Sequence, residues 1–160
     1  MESITIYNRL KDIIPEAKLR IDEPMREHTS FRIGGPVQVM ALPTKAEEIQ
    51  STVMFCNETK IPFMVMGNGT NLLISDKGIK GVVIKLSQNF NDVVVKGKSL
   101  TCRSGVSLSS AANAAMENGL RGLEFAHGIP GSVGGAAVMN AGAFDGEMAM
   151  VVEKVKVLDM

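Results

Sequence analysis

The stretch GIPGSVGGAAVMNAGAFDG, residues 128–146, holds six glycines in nineteen residues, and only Asp145 is charged. A surface loop carries more charge than this. A core helix or strand carries less glycine, because glycine inside an element costs roughly 0.5–1 kcal/mol relative to alanine. The question is what comes so close to this backbone that side chains are removed. Pro130 and Gly131 set a turn, and Gly134, Gly135 and Ala136 leave a flat surface where a planar group could lie against the main chain. Ser132 and Asn140 offer hydrogen bonds. Tight helix–sheet packing selects the same small residues, so the stretch alone leaves both readings open.

A second glycine-rich stretch, MGNGTNLLIS at 66–75, directly follows the apolar run PFMVM at 62–66. Gly67 and Gly69 allow a tight turn that exposes consecutive N–H groups, and Thr70 and Asn71 add short side-chain donors. Such a nest suits a phosphate. It is not the dinucleotide-binding fingerprint, whose sixth position is glycine where this chain has Leu72. An ordinary Asn-Gly turn is the plainer reading. DVVVKGKS, 92–99, ends like a phosphate-binding Walker loop, but Asp92 replaces its first glycine and the segment joins strand to strand. Lys96-Gly97-Lys98 reads as a hairpin turn.

Between these stretches the pattern alternates helix and strand. Ile4, Tyr7, Leu10 and Ile14 predict a helix over 3–14, and PEAKLRIDEPMREHTSFRIGG then reads as a polar link. VQVMAL (37–42) and PFMVM predict strands, the second short and buried. They flank a helix with a capping box at Thr44 and Glu47 and a stripe of Ala46, Ile49, Val53 and Cys56. Strand–helix–strand implies parallel pairing with a right-handed crossover. GVVIKL (81–86), DVVVK (92–96) and LTCRS (100–104) are further strands, the last two a hairpin. Ser107 opens a helix with Leu108, Ala111, Ala112, Ala115 and Met116 on one face, which Gly119 ends. VVEKVKVL (151–158) alternates as a strand does.

With 160 residues, 45% apolar and zero formal net charge, the chain is one or at most two compact units. Neutral charge speaks against nucleic acid as the main partner. No apolar run reaches the ~18 residues of a membrane span, and the amino terminus is not a signal peptide. Cys56 and Cys102 read as buried free thiols of a reducing compartment, so the expected location is cytoplasmic. His28 and His127 are the only histidines, which speaks against a histidine metal site. His28 is expected to be solvated; His127, beside the glycine stretch, either makes a local hydrogen bond, the plainer reading, or faces a ligand; Glu124 is either a base or, the plainer reading, an acceptor for nearby backbone N–H groups. Arg32 is either a surface arginine or the partner of an anion.

TSFRIGG at 29–35, GNGTNLL at 67–73 and GLEFAHGIPGSVGGAAVMNAGAF at 122–144, in that order, resemble the UDP-N-acetylenolpyruvoylglucosamine reductase family of peptidoglycan synthesis. The resemblance runs from about residue 25 to the end. It implies an α+β flavin-binding fold of the vanillyl-alcohol-oxidase type: a small parallel βαβ subdomain (29–86) beside a second subdomain (87–160) with a mixed, mostly antiparallel sheet. Residues 1–28 form a helix and linker. Non-covalent FAD lies between the subdomains, and NADPH is the hydride donor. By resemblance, Gly67, Asn68, Gly69, Thr70, Asn71 and Leu72 hold the pyrophosphate. Gly128, Ile129, Pro130, Gly131, Ser132, Gly134, Gly135 and Ala136, with Asn140, Ala141 and Gly142, line the rest of FAD, and Arg32 is a weaker carry-over. The family's enzymes are about twice this long, and their catalytic arginine, serine and glutamate match no position here. The expected chain is thus the FAD-binding part of a larger enzyme, inactive alone and without the domain that binds the UDP-sugar. Alternatives are another flavin oxidoreductase of this fold, with FAD tethered to a histidine, and a non-catalytic nucleotide-binding module.

Overall fold

Apolar spacing places a helix at the amino terminus, and the computed structural model, which describes residues 1–159, has α1 at Ser3–Leu10. The buried stripe is Ile6, Leu10 and Ile14, while Ile4 faces solvent. The expected helix over 3–14 ends at Leu10, and Ile6 stands in the buried face in place of Ile4 and Tyr7. The polar link is not all loop: Leu19–Pro24 form strand β1, antiparallel to β2 at Pro36–Ala41 with Leu19 opposite Ala41. β1 lies at a sheet edge and buries only Leu19 completely. Charged residues are what an edge strand uses to block stray pairing, and they disguise it as loop.

Helix α2 (Ala46–Thr59), β3 (Phe63–Met66) and β4 (Ile79–Lys85) complete a four-stranded sheet of order β1-β2-β4-β3. The strands flanking α2 both run parallel to β4, which lies between them, so they are not neighbours. β4 is central, with Val82, Val83 and Ile84 fully buried. Each such side chain contributes about 1.5–3 kcal/mol. β3, expected to be buried, is the other edge, and Val65 is exposed. At a register shift between Val37 and Val39, Gln38 Oε1 accepts from Gly81 N–H at 2.6 Å. The bond gives a bulge donor a side-chain partner.

The cap of α2 uses Glu48, not Glu47. Its carboxylate accepts from Thr44 N–H (2.7 Å) and Lys45 N–H (3.3 Å) and from Lys18 Nζ (3.3 Å). Along α2, Thr52, Val53, Phe55 and Cys56 are buried, while Ala46 is exposed. Burial pushes the Glu48 carboxyl up, but the Thr44, Lys18 and Lys45 interactions outweigh it and hold it below the ordinary carboxylate range. A lowered folded pKa adds stability that is complete above the unfolded value and is lost as pH falls through the folded one. An acid titration of the melting temperature should fall less steeply for Glu48→Gln than for the wild type. Parallel curves would remove the cap from the acid response.

Contacts divide the chain into two units: residues 1–86 with Leu158 and Asp159, and residues 87–157. In the second unit β5 (Val93–Lys96) and β6 (Ser99–Cys102) form the expected hairpin. α3 (Leu108–Glu117) is capped by Ser107, whose Oγ accepts from Ser110 N–H at 3.0 Å. Leu108, Ala111, Ala112 and Ala115 are buried, while Met116, predicted on the same face, is exposed. α4 (Val133–Met139) is followed by a small hairpin of β7 (Gly142–Ala143) and β8 (Gly146–Glu147). The mixed sheet expected in the second subdomain thus lies in the first unit, where β1 runs antiparallel to β2, and the described residues of the second unit hold these two hairpins instead. The predicted strand at 151–158 is not formed: Val155 is 61% and Val157 75% exposed. A ladder needs a neighbour's N–H and C=O groups, and among the described residues none pairs with this segment.

Candidate functional site

In the first unit the chain leaves β3 at Met66 and enters the glycine turn. Gly69 has φ 69°, in the left-handed region, and a Cβ there would fall on the carbonyl oxygen of His28. Only glycine fits. Met66 itself is held, because its carbonyl accepts from Leu86 N–H at 2.7 Å. Beyond it the backbone bonding changes. Among the described residues, no acceptor takes the N–H groups of Gly67, Asn68, Gly69, Thr70 and Asn71, while Leu72 closes a turn over Thr70 and Asn71. Backbone donors in folded proteins are nearly always paired. A run of unpaired ones in a tight turn is a cradle for an anion.

The segment 28–33 packs on this turn. Ser30 N–H donates to Gly69 O at 3.2 Å, and buried Thr29 donates from Oγ1 to Ile33 O at 3.0 Å. Arg32 sits in left-handed backbone (φ 54°) with its side chain exposed. His28, expected to be solvated, is only 17% exposed in its side chain: Nε2 lies 2.8 Å from Glu23 Oε1 and Nδ1 2.8 Å from Lys85 Nζ. Glu23 and Lys85 escape sequence reading because nothing local in "IDEP" or "VIKL" links them to His28. Topology does so, by placing β1, the 28–33 segment and β4 together.

The second unit holds residues 128–142, and its donors are arranged the opposite way. Val133 N–H donates to Val106 O (2.7 Å), Gly134 N–H to Ser104 O (2.8 Å), and Ala136 N–H to Ser132 O (2.8 Å). Gly135 N–H reaches Ser132 Oγ at 3.3 Å. The start of α4 therefore offers no free N–H to an anion. Ser132 is buried and spends its Oγ on this cap, and Asn140 Oδ1 accepts from Ala149 N–H at 2.9 Å. These two oxygens, predicted to face a ligand, are used within the chain. Asn140 also ends α4 in left-handed backbone (φ 46°). The glycines separate into two kinds. A Cβ on Gly134 would meet Ser104 Cβ at 2.6 Å, which is close packing. A Cβ on Gly128 would meet nothing within 4 Å, and one on Gly135 only Ser132 Oγ at 3.3 Å. Gly128 and Gly135 leave open surface. The loss of the α4 cap should cost about 1 kcal/mol in Ser132→Ala, readable by urea unfolding. An unchanged midpoint would show that the Oγ bond adds nothing.

Glu124 Oε2 accepts from Gly122 N–H at 2.7 Å, as expected. His127 is exposed, and among the described residues its ring has no hydrogen-bond partner, contrary to expectation. Both cysteines are free; burial pushes the Cys56 thiol up to about 11. Cys102 is only partly buried. No described helix is long and apolar enough to cross a membrane.

A donor nest after a parallel strand in the first unit is the kind of loop that nucleotide-cofactor binding domains use. Residues 37–160 match the FAD binding domain family, and the chain belongs to that family. A UDP-N-acetylenolpyruvoylglucosamine reductase from Caldanaerobacter subterraneus subsp. tengcongensis is 52% identical over 96% of this chain and 51% of its own length. The chain thus spans about half the length of the curated relatives it matches. The crystal structure of the reductase of that name from Thermus caldophilus superposes with a TM-score of 0.65 and 34% identity, covering 82% of this chain and 44% of that one. An alkyldihydroxyacetonephosphate synthase, at 18% identity, superposes with a TM-score of 0.65 over 87% of this chain and 32% of its own, and so shares the fold. The fold is the flavin-binding one of vanillyl-alcohol-oxidase type. The residues present fit FAD. In the first unit the unpaired donors of 67–71 suit a diphosphate; in the second, the backbone at Gly128 and Gly135 is bare.

Proposed function

We propose that this chain holds FAD non-covalently and serves the reaction that names its relatives, reduction of UDP-N-acetylenolpyruvoylglucosamine to UDP-N-acetylmuramate with NADPH. We assign the diphosphate to Gly67–Leu72 in the subdomain 29–86, with Arg32 as a nearby cation. Residues 128–136 and 140–142, in the subdomain 87–160, line the rest of the cofactor. The observation that carries the reading is the run of backbone donors without an acceptor at 67–71. Charge-assisted bonds from such donors are the strong kind. When bound, FAD would supply the redox centre that takes hydride from NADPH and passes it to the enolpyruvyl double bond. The chain's own part is to bind and orient. A histidine tether at His28 is disfavoured, since Glu23 and Lys85 engage both its ring nitrogens. The family's arginine, serine and glutamate map to no position here, so we place UDP-sugar binding and the catalytic groups outside these residues and the protein in the cytoplasm.

The test is a visible spectrum of the purified chain before and after FAD addition and gel filtration. The reading expects one flavin retained per chain and released by acid precipitation. Loss of all flavin on the column, or equal competition by AMP, would overturn it.

A further inference from the structure

We propose that His28 is a positioning residue for the cofactor loop, fixing its entrance through a Glu23–His28–Lys85 relay while its main chain backs the turn at Gly69. The inference rests on the FAD reading of residues 67–72. An ammonium can only donate, so His28 Nδ1 accepts from Lys85 Nζ at 2.8 Å. Nε2 then carries the ring proton and donates to Glu23 at 2.8 Å. The tautomer is fixed by its two partners. Burial lowers the Lys85 pKa, and the Glu23 charge opposes the shift. Lys85 is the register partner of Met66, the residue before Gly67. The His28 carbonyl lies where a Gly69 Cβ would fall, and Ser30 N–H donates to Gly69 O. His28 thus meets β4 beside the loop's entrance through its ring, its carbonyl lies against the loop's turn, and Ser30, two residues on, bonds that turn. The donors of 67–71 face a diphosphate only while that turn keeps its shape, and a misplaced donor loses most of its value.

The experiment titrates FAD fluorescence quenching with the wild-type chain, His28→Ala, Lys85→Met, the double variant, and His28→Asn, with melting of each chain without FAD. His28→Ala and Lys85→Met should each weaken FAD binding by about tenfold. The double variant should be no weaker than the worse single, because the two act as one unit. His28→Asn, whose amide oxygen can replace Nδ1, should restore affinity to within about threefold of wild type. Folded variants that bind FAD like wild type, or single effects that multiply in the double, overturn the proposal. So does general unfolding of the variants including His28→Asn, which would make the relay a support of the whole fold. A wild-type chain that takes no FAD overturns the functional reading and this inference together.

Discussion

Gly69→Val will destabilise the first unit before any cofactor is considered. Two costs combine. A β-branched residue at φ 69° is strained by about 1–3 kcal/mol. Its Cβ must also displace the His28 carbonyl, a backbone atom that cannot rotate away. Forcing atoms into packed space costs roughly 1–3 kcal/mol more. Against a total stability on the order of 5–15 kcal/mol, the melting temperature should fall by about 10 °C or more. Circular dichroism of the cofactor-free chain measures this. A variant that melts like wild type would mean that Gly69 is spared a side chain for the ligand's sake alone.

Two neighbouring glycines should part company. Gly135→Leu puts a side chain on open surface in a helix, where leucine is favoured over glycine by roughly 0.8 kcal/mol. Only Ser132 Oγ must give slightly. The cofactor-free chain should therefore be as stable as wild type. FAD affinity should drop by about a hundredfold, about 2.8 kcal/mol, because the new side chain fills the ring's space. Gly134→Leu should instead fail to fold properly, since its Cβ meets Ser104 Cβ at 2.6 Å and Ser104 O at 3.0 Å. Calorimetry and flavin titration on both variants read the contrast. Full FAD affinity in a stable Gly135→Leu would leave the glycine run with a packing role only.

The strands that bury both faces were readable because runs such as VQVMAL and GVVIKL are continuous apolar stretches. The edges were not. β1 hides behind Arg20, Asp22 and Glu23, and β3 looked buried although it ends the sheet. Order within a sheet is set by the whole packing, so the insertion of β4 between the strands flanking α2 has no local sign. Ser107 and Gly119 announced their helix ends because capping is local chemistry, whereas the cap at Ser132 and the helix it opens went unread behind the glycines. At the candidate site, glycine spacing marked the tight turn at 67–69 but did not separate a donor nest from an ordinary Asn-Gly turn. The division of the second stretch into packing and open glycines was not legible, because it depends on Ser104, far away in sequence. The His28 relay needed three separate elements to meet.

The β7–β8 hairpin turns through Phe144 (φ 51°) and Asp145 (φ 63°), two non-glycine residues in left-handed backbone, with Phe144 91% exposed. Asn-Gly is the pair such a two-residue turn prefers. Here is a reserve for protein engineering. Exchanging Phe144-Asp145 for Asn-Gly relieves two strained residues and removes a greasy tip from solvent, with no core atom moved. A crystallographer needing a hardier sample, or an evolving lineage needing slack to absorb a harmful change elsewhere, could draw on it.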